Sequence, residues 1–371
     1  MKPIPYLDLK GMHLPVQEAI ESAFREVLHS GWFILGKQVT QFERAWSEVN
    51  QVAATVGVAN GLDALRLTLD AWKIQGKLKP GDQVLVPSNT YIATWLAVTQ
   101  AGLEIIPVEP DPITCLLTAE GCRKYLSPAV KAMIPVHLYG QMAPMQDLIS
   151  FARENQILVL ADAAQSHGAI LDGIPCGAWG DATAFSFYPG KNLGALGDAG
   201  AVCSPDIELI HLIRTLGNYG SEEKYHNLYP GFNSRLDELQ AALLLVKLPW
   251  LESWTRERQR LANRYLDGIR NPLIKLPNRP VSPEMHVWHI FQIQTPERDA
   301  LIRFMKENEI GTVIHYPVPP HLQPAYSSLF PKKSYPVSEQ IHRETLSIPL
   351  YPGLSDAAQD RVMEVMNRFV S

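Results

Sequence analysis

The chain of 371 residues contains few cysteines and no familiar metal-binding motif. Its four cysteines, Cys115, Cys122, Cys176 and Cys203, show no CxxC spacing and are too sparse for a disulfide framework. We therefore expect reduced thiols, as is usual in a cytoplasmic protein. The 11 histidines include no HExxH motif and no other paired-ligand spacing, so no metal site is expected.

The sequence also lacks a basic cluster and a long apolar run. Lys and Arg together number 33 and Asp and Glu 38, which gives a net charge of −5 without a basic block. Nucleic acids and anionic membranes are therefore not expected as partners. No run reaches the length of a membrane span, and the start of the chain, MKPIP, lacks the apolar core of a secretory signal. These absences predict a soluble, cytoplasmic protein.

The order of strand-like and helical patterns predicts the fold class. Short apolar runs alternate with helical patterns from about residue 52 to the run that precedes Lys191. This alternation is typical of an α/β fold with a mostly parallel central sheet and helices on both faces. Pro249 interrupts a helical run, and we place a domain boundary there, between a large domain of residues 1–248 and a small α+β domain of residues 249–371. In the small domain we predict a strand at 286–295, a helix at 298–308, and a strand with a Pro-rich loop at 310–326.

Two motifs carry the chemistry of this sequence. In ILVLADAAQSHGA, Asp162 and Gln165 follow a continuous apolar strand, and in FSFYPGKNLGALGDAG, Lys191 lies in a Gly-rich loop after another strand. A lysine amine can form a Schiff base with an aldehyde, and a carboxylate can keep a pyridine nitrogen protonated; pyridoxal phosphate requires both. Burial of a carboxylate among apolar residues is energetically unfavourable unless a cation or hydrogen bonds stabilise it, so we expect a cationic partner for Asp162.

A third motif can hold a phosphate. A strand-like run from Val52 leads into a turn at Asn60 and Gly61, and a helical pattern opens at Leu62 and Asp63. The start of a helix presents free backbone amides and a partial positive charge, which suit a phosphate. Many strand-turn-helix units bind nothing, so the motif gains weight only from its agreement with Lys191 and Asp162.

These motifs, together with GFNSRLDELQAA at residues 231–242, resemble the DegT/DnrJ/StrS family of sugar aminotransferases over nearly the whole chain. The resemblance implies the aspartate aminotransferase (type I) fold and a pyridoxal 5'-phosphate cofactor. The run FYPGKNLGALGDAG is similar to the branch that acts on 3-keto sugar nucleotides, the dTDP-3-amino-3,6-dideoxyhexose transaminases. It implies transfer of an amino group from L-glutamate to the 3-keto carbon of a dTDP-3-keto-6-deoxyhexose, with 2-oxoglutarate as the second product.

The resemblance also assigns roles to residues. The positions implied in catalysis and cofactor binding are Lys191, Asp162, Gly61, Leu62, Tyr91, Gln165, Ser186 and Asn233. Tyr91 would stack on the cofactor ring, Gln165 would donate to the ring hydroxyl, and Ser186 would bind the phosphate. Tyr91 also fits a core position under a helix start, and Ser186 a buried place on a strand. Much of the family has Thr where this chain has Leu62, so one hydroxyl contact is lost and the backbone amides of Gly61 and Leu62 must supply that part of the phosphate binding.

The motif around Asn233 implies a homodimer. In the family this asparagine lies in the neighbouring subunit's active site, so each site would lie at the subunit interface and need both chains. Candidate contacts to the sugar nucleotide are Tyr188, Tyr219, Arg235, His315 and Tyr316. A salt bridge from Arg235 to Asp237 or Glu238 is a simpler reading, and His315 and Tyr316 also fit a structural role in the Pro-rich loop.

Two alternative functions stay open. One is amination of a 4-keto sugar nucleotide, although that branch usually carries a His-containing version of the lysine motif. The other is a non-catalytic regulatory protein that binds pyridoxal phosphate, against which the intact Lys191, Asp162 and Gln165 argue. A related subgroup of dehydratases has His in place of the lysine, and Lys191 excludes it. For His167, a hydrogen-bonded structural role is expected.

Overall fold

The structure, a computed structural model, describes residues 2–331 and 333–370. The helices are α1 Leu9–His13, α2 Gln17–Ser30, α3 Lys37–Asn50, α4 Gly61–Ile74, α5 Ile92–Gln100, α6 Ala119–Arg123, α7 Met145–Asn155, α8 Ile207–Gly217, α9 Glu238–Lys247, α10 Leu251–Gly268, α11 Arg298–Glu307, α12 Pro336–Glu344 and α13 Asp356–Arg368. The strands are β1 Ala54–Val58, β2 Gln83–Pro87, β3 Glu104–Val108, β4 Val130–Met133, β5 Leu158–Asp162, β6 Ile170–Leu171, β7 Ile174–Pro175, β8 Ala182–Ser186, β9 Gly200–Ser204, β10 Ser221–Glu223, β11 His226–Asn227, β12 Phe291–Gln294 and β13 Thr345–Ile348. No helix within the described ranges is both long enough and apolar enough to cross a membrane.

A mostly parallel sheet organises the larger part of the chain. Within the described residues it has seven strands in the order β1-β9-β8-β5-β4-β2-β3. Strand β9 pairs antiparallel with β1 and β8, and the other neighbours pair in parallel. Six strands therefore point the same way and end at one edge of the sheet, where open α/β sheets place their ligands. The predicted α/β fold is confirmed.

Both faces of the sheet are buried, as the continuous apolar strands predict. Val84 and Val86 pack into one apolar cluster and Leu85, between them, into the other. Leu160 of β5 likewise faces away from Val159. Since side chains alternate across a strand, two separate cores require helices on both sides of the sheet.

A long-range carboxylate fixes the start of α3. Glu238, which is buried at the start of α9, accepts hydrogen bonds from the backbone amides of Gly36, Gln38 and Val39 at 2.8, 2.9 and 2.9 Å. An anion at a helix N-terminus satisfies amides that have no partner inside the helix. Glu238 therefore ties α3 to α9 and does not pair with Arg235.

The C-terminal part of the chain has a third apolar cluster. It lies around the antiparallel pair β12–β13 and includes residues of α10, α11 and α13. Ile4 and Met12 from the beginning of the chain also pack there. The division at residue 248 stays a prediction, and a short 3₁₀ turn at Leu248–Trp250 connects α9 to α10 there.

The predicted strand within 310–326 is wrong in extent. Val313 forms only an isolated bridge with Ser347, and the regular partner of β12 is β13. Proline has no backbone N–H to donate to a ladder, and the prolines at 317, 319 and 320 end any pairing soon after Val313. Three residues of the segment, Val313, His315 and Tyr316, instead line a cavity together with the last residue of β5.

Candidate active site

A cavity of about 720 Å³ lies at the edge where the parallel strands end. Its walls include the start of α4, the end of β5, the end of β8 and the segment around residue 315 from the C-terminal part. The sequence-predicted residues that line it are Gly61, Leu62, Tyr91, Asp162, Gln165, Ser186, Tyr188, Lys191, His315 and Tyr316. The predicted cofactor motifs, which are far apart in sequence, therefore meet in one place.

Asp162 is the last residue of β5 and is buried in this cavity. Its Oδ2 accepts a hydrogen bond from Thr94 Oγ1 at 3.0 Å, and its Oδ1 accepts one from the amide of Ala164 at 3.1 Å. Burial raises the pKa of Asp162, while these two donors and the charge of Lys191 oppose the rise. The carboxylate is thus held in place by neutral donors, and the cationic partner expected for Asp162 stays a prediction.

Lys191 follows β8 in a tight turn, where its amide donates to the carbonyl of Tyr188 at 2.8 Å. Burial lowers the pKa of the Lys191 amine to about 8, and the opposite charge of Asp162 acts against this shift. A larger fraction of the amine is therefore neutral near pH 8 than for a free lysine, whose pKa is about 10.4. The loop is anchored beyond Lys191 by the buried Lys247, which donates to the carbonyl of Gly194 at 2.7 Å.

The start of α4 lies against the end of β8. Asn60 caps the helix by accepting from the amide of Asp63 at 2.8 Å, which leaves the amides of Gly61 and Leu62 available to a ligand. A Cβ on Gly61 would lie only 2.6 Å from Cβ of Ser186, so only glycine permits this close approach. The two amides and the Ser186 hydroxyl together form a site suited to a phosphate.

Gln165 connects the large sheet to the C-terminal part of the chain. Its Oε1 accepts from the amide of Tyr139 at 2.6 Å, and its Nε2 donates to the hydroxyl of Tyr316 at 3.0 Å. An amide NH₂ group has two hydrogens, so one stays available for a ligand in the cavity. His315 is held nearby by its Nδ1 contact with Ser347 Oγ at 2.9 Å, and burial lowers the pKa of His315 to about 4.

Two tyrosines border the cavity without being buried. Tyr91 is 51% exposed and Tyr188 is 59% exposed. The ring centroid of Tyr91 lies 5.0 Å from that of Tyr316, with an interplanar angle of 36°. Tyr91 therefore does not occupy a core position under the helix start, and its ring is free to stack on a planar ligand.

Tyr219, Asn233 and Arg235 do not line the cavity of their own chain. Arg235 donates to Oδ1 of Asn233 at 2.6 Å and to Oδ1 of Asn218 at 2.9 Å. Its guanidinium carbon lies 5.2 Å from the ring centre of Tyr219. The alternative in which Arg235 pairs with Asp237 or Glu238 is wrong: among the described residues Arg235 bonds to the two asparagines and forms no ion pair, and Glu238 binds the amides at the start of α3.

The structural role expected for His167 agrees with its contacts. Its Nδ1 accepts a hydrogen bond from the amide of Leu193 at 3.1 Å, in the loop that carries Lys191. Its ring packs against the aromatic rings of Trp46, Phe185 and Phe187. Burial lowers the pKa of His167 to about 3, so the ring is neutral at physiological pH.

Sequence reasoning missed three polar residues of the site. Thr94 binds Asp162, and its place one turn into the helix that follows Tyr91 could have suggested this. Arg258 and His289 also line the cavity. They come from α10 and from the segment before β12, and no local pattern distinguishes them from ordinary helix and loop residues.

These residues fit pyridoxal phosphate. The free amides of Gly61 and Leu62 suit the phosphate, the buried carboxylate of Asp162 suits a protonated pyridine nitrogen, and Lys191 supplies an amine of lowered pKa. The fold and this arrangement define the class of enzymes that hold pyridoxal phosphate on a lysine. The chain belongs to the DegT/DnrJ/EryC1/StrS aminotransferase family, whose model matches residues 15–367. The predicted family and the predicted enzyme class, an aminotransferase, are confirmed.

Similar proteins cover the whole chain. A dTDP-3-amino-3,6-dideoxy-alpha-D-galactopyranose transaminase of Aneurinibacillus thermoaerophilus is 45% identical over 366 residues, which are 99% of each chain. The crystal structure of S. venezuelae DesV in complex with a ketimine intermediate is 40% identical, with a TM-score of 0.96 over 100% of both chains. The structure of NtdA from Bacillus subtilis with bound cofactor PMP is 30% identical, with a TM-score of 0.91 over 99% of this chain and 85% of that one.

Proposed function

We propose that this protein transfers an amino group from L-glutamate to the 3-keto carbon of a dTDP-3-keto-6-deoxyhexose, with pyridoxal phosphate as cofactor. The observation that carries the proposal is the meeting of Lys191 and Asp162 in one cavity, beside the free amides at the start of α4. The predicted cofactor is confirmed by family membership and by the PMP-bound relative. When bound, the cofactor supplies an electron sink for a carbanion next to nitrogen.

The cofactor-binding residues have separate tasks. Asp162 accepts the pyridine N–H, and the donors Thr94 and Ala164 hold its carboxylate in position. The amides of Gly61 and Leu62 and the hydroxyl of Ser186 bind the phosphate. The cofactor would thus be held at one end by the last residue of β5 and at the other by the start of α4 and the last residue of β8.

Lys191 is the residue that moves protons. Its amine would hold the cofactor aldehyde until an amino donor replaces it. The free amine, whose pKa is lowered to about 8, would then serve as the base that removes the proton from the donor's α-carbon. In the second half-reaction it acts in the opposite direction on the sugar carbon.

Gln165 and Tyr91 orient the cofactor ring. Gln165 is fixed by Tyr139 on one side and Tyr316 on the other, so its remaining N–H can meet the ring hydroxyl. Tyr91 stacks on the ring, which contributes about 0.5–1.5 kcal/mol beyond burial. Tyr188, His315 and Tyr316 line the same cavity and are our candidates for contacts with the sugar nucleotide.

The choice of a 3-keto substrate is supported by the lysine motif and by the sugar named for the Aneurinibacillus relative. Incubation of the holoenzyme with glutamate and either a 3-keto or a 4-keto dTDP-6-deoxyhexose tests it, with mass spectrometry of the products. We expect the amino sugar from the 3-keto compound, and amination of the 4-keto compound alone would contradict the assignment. Absence of any spectral change on addition of glutamate would instead favour a regulatory protein without turnover.

We also propose a homodimer whose partner supplies Tyr219, Asn233 and Arg235. Two features support it: these residues are separate from the cavity of their own chain, and an exposed apolar segment adjoins them. In that segment Trp32 is 64% exposed and Ile34, 39% exposed, forms a bridge with Asp237. Exposed apolar side chains next to polar anchors are typical of protein interfaces.

Mixed dimers test this proposal. One chain carries Lys191→Ala and the other Asn233→Ala, each inactive as a homodimer. If the partner completes the site, a mixed dimer has one site with both defects and one site with neither, so activity returns. If each chain forms its own site, both sites stay defective and no activity returns.

The remaining expectations are proposals of the same kind. We propose a cytoplasmic enzyme without nucleic-acid or membrane partners; the four free, buried cysteines suit a reducing compartment. We keep the division into domains at residue 248. Cell fractionation tests the first proposal, and limited proteolysis near the 3₁₀ turn at Leu248–Trp250 tests the second.

A further inference from the structure

Arg258 is a buried cation that the mechanism above does not use. It lies in the middle of α10, is 1% exposed and lines the active-site cavity. Its Nη1 donates to the carbonyls of Trp288, His289 and Leu350 at 3.3, 3.3 and 3.0 Å. One side of the guanidinium is therefore fixed, and its plane is held in a single orientation.

The charge of Arg258 is not balanced by the protein. Within residues 2–331 and 333–370, no carboxylate lies at ion-pair distance from it, and its buried Nε has no hydrogen-bond partner. Burial lowers the pKa of Arg258 to about 10, which records the cost of a charge held only by neutral carbonyls. A buried, unpaired cation is expensive, and an anionic ligand would remove that cost.

Contacts place Arg258 on the Lys191 side of the cavity. The carbonyl of His289 accepts from Arg258, and Nδ1 of the same ring contacts Oδ1 of Asn192 at 3.1 Å. Asn192 directly follows Lys191 in the chain. Burial lowers the pKa of His289, and the charges of Lys191 and Arg258 lower it further, so both cations act on the same ring.

Neither acidic residue of the cavity forms an ion pair with Arg258 among the described residues. Asp162 is held by Thr94 and the amide of Ala164, and Asp198 is exposed and forms no ion pair with Arg258 among the described residues. An incoming carboxylate would therefore meet Arg258 without a competing anion. The guanidinium fork matches a carboxylate in geometry and can hold it with two hydrogen bonds.

We propose that Arg258 binds the α-carboxylate of the amino donor. The inference rests on the proposed function, in which an amino acid first delivers its nitrogen near Lys191. The α-carboxylate is attached to the carbon that loses its proton, so its anchor must lie on the Lys191 side, where Arg258 is. The keto sugar has no carboxylate at its reacting carbon, so the second half-reaction does not need this charge.

The test separates the two half-reactions by stopped-flow absorbance of the holoenzyme. Arg258→Met removes the charge at similar length, Arg258→Lys keeps it without the fork, and Arg256→Met, two positions away on α10 and exposed, is the control. We expect Arg258→Met to raise the glutamate concentration that half-saturates the first half-reaction by about 100-fold, because a charge-assisted bidentate contact is lost. The lysine variant should recover part of this loss, and the reaction of the PMP form with keto sugar should change less than about threefold.

Donor analogues show which carboxylate is bound. The difference in half-saturating donor concentration between Arg258→Met and the wild type should persist with L-2-aminobutanoate, which keeps the α-carboxylate. It should vanish with 4-aminobutanoate, which lacks the α-carboxylate. Unchanged glutamate saturation in Arg258→Met, or an equal loss in both half-reactions, would overturn the role of Arg258. If the wild type itself fails to react with glutamate, the proposed function fails instead.

A direct measurement covers the case in which the Arg258 variants do not fold. The wild-type holoenzyme is treated with glutamate and borohydride, and the reduced adduct is located by crystallography. The α-carboxylate should lie at about 2.7–2.9 Å from the guanidinium nitrogens. A carboxylate bound to any other group would contradict the proposal.

Discussion

The contact between Gly61 and Ser186 allows a quantitative prediction for Gly61→Ala. The added Cβ would lie 2.6 Å from Cβ and 3.2 Å from Cα of Ser186, and neither atom can rotate away. Carbon atoms pack at about 3.5–4.0 Å, so the start of α4 must retreat by about 1 Å. Loss of one amide bond to the phosphate costs roughly 1.5–3 kcal/mol. This corresponds to about a 10- to 150-fold weaker cofactor affinity.

The same substitution should lower the free energy of unfolding of the apoprotein by a net of about 0–2.5 kcal/mol. Overpacking costs about 1–3 kcal/mol, but alanine is favoured over glycine in a helix by about 0.5–1 kcal/mol. Titration of the apoprotein with pyridoxal phosphate and urea unfolding measure the two effects. The control is Gly121→Ala, in the first turn of α6, where the nearest atoms are the side-chain ends of Thr118 and Val108 at 3.3 Å. A Gly61→Ala variant with wild-type cofactor affinity would refute the assignment of this helix start to the phosphate.

Three further predictions concern the charged residues. Asp162→Asn should keep part of the cofactor but lose turnover by at least about 100-fold in single-turnover kinetics, and near-normal rates would remove Asp162 from its role. Thr94→Val removes a hydrogen-bond donor that lowers the pKa of Asp162, so the pKa of Asp162, which burial already raises, should rise further. We expect turnover to fall about tenfold and the acid limb of the pH–rate profile to move to higher pH. An acid limb that does not move would count against this contact. Because the pKa of Lys191 is lowered to about 8, the rate at which the apoprotein binds pyridoxal phosphate should increase as the pH rises toward about 8 and level off above it. A rate that still rises steeply at pH 10 would contradict this prediction.

The fold class could be predicted because the apolar pattern of each strand and the residues that begin each helix indicate the same α/β architecture. The strand ending at Asp162 is continuously apolar, as a strand buried on both faces must be, and Asn60 and Gly61 mark the start of α4. The strand prediction within 310–326 was wrong because the local pattern there does not determine which segments pair. Val313 has strand-like neighbours, but the choice of β13 as the partner of β12 depends on residues about fifty positions away.

The sequence predicted a site residue only where a chemically functional residue type also lies at or just after the end of a predicted strand. Asp162 ends a strand, and Gln165 and Lys191 follow strands within a few residues, where parallel sheets expose functional groups. Arg258 lies on an amphipathic helix among other arginines, and its sequence neighbours give no sign that it alone is buried. The tight contact of Gly61 with Ser186 likewise depends on the sheet order and not on either motif.

The central claim is that Lys191 carries the cofactor. Borohydride treatment of the purified holoenzyme followed by peptide mass spectrometry tests it directly. We expect the pyridoxyl phosphate adduct on the peptide that contains Lys191 and on no other lysine. An adduct on a different lysine, or no adduct in a protein that has bound the cofactor, would contradict this account.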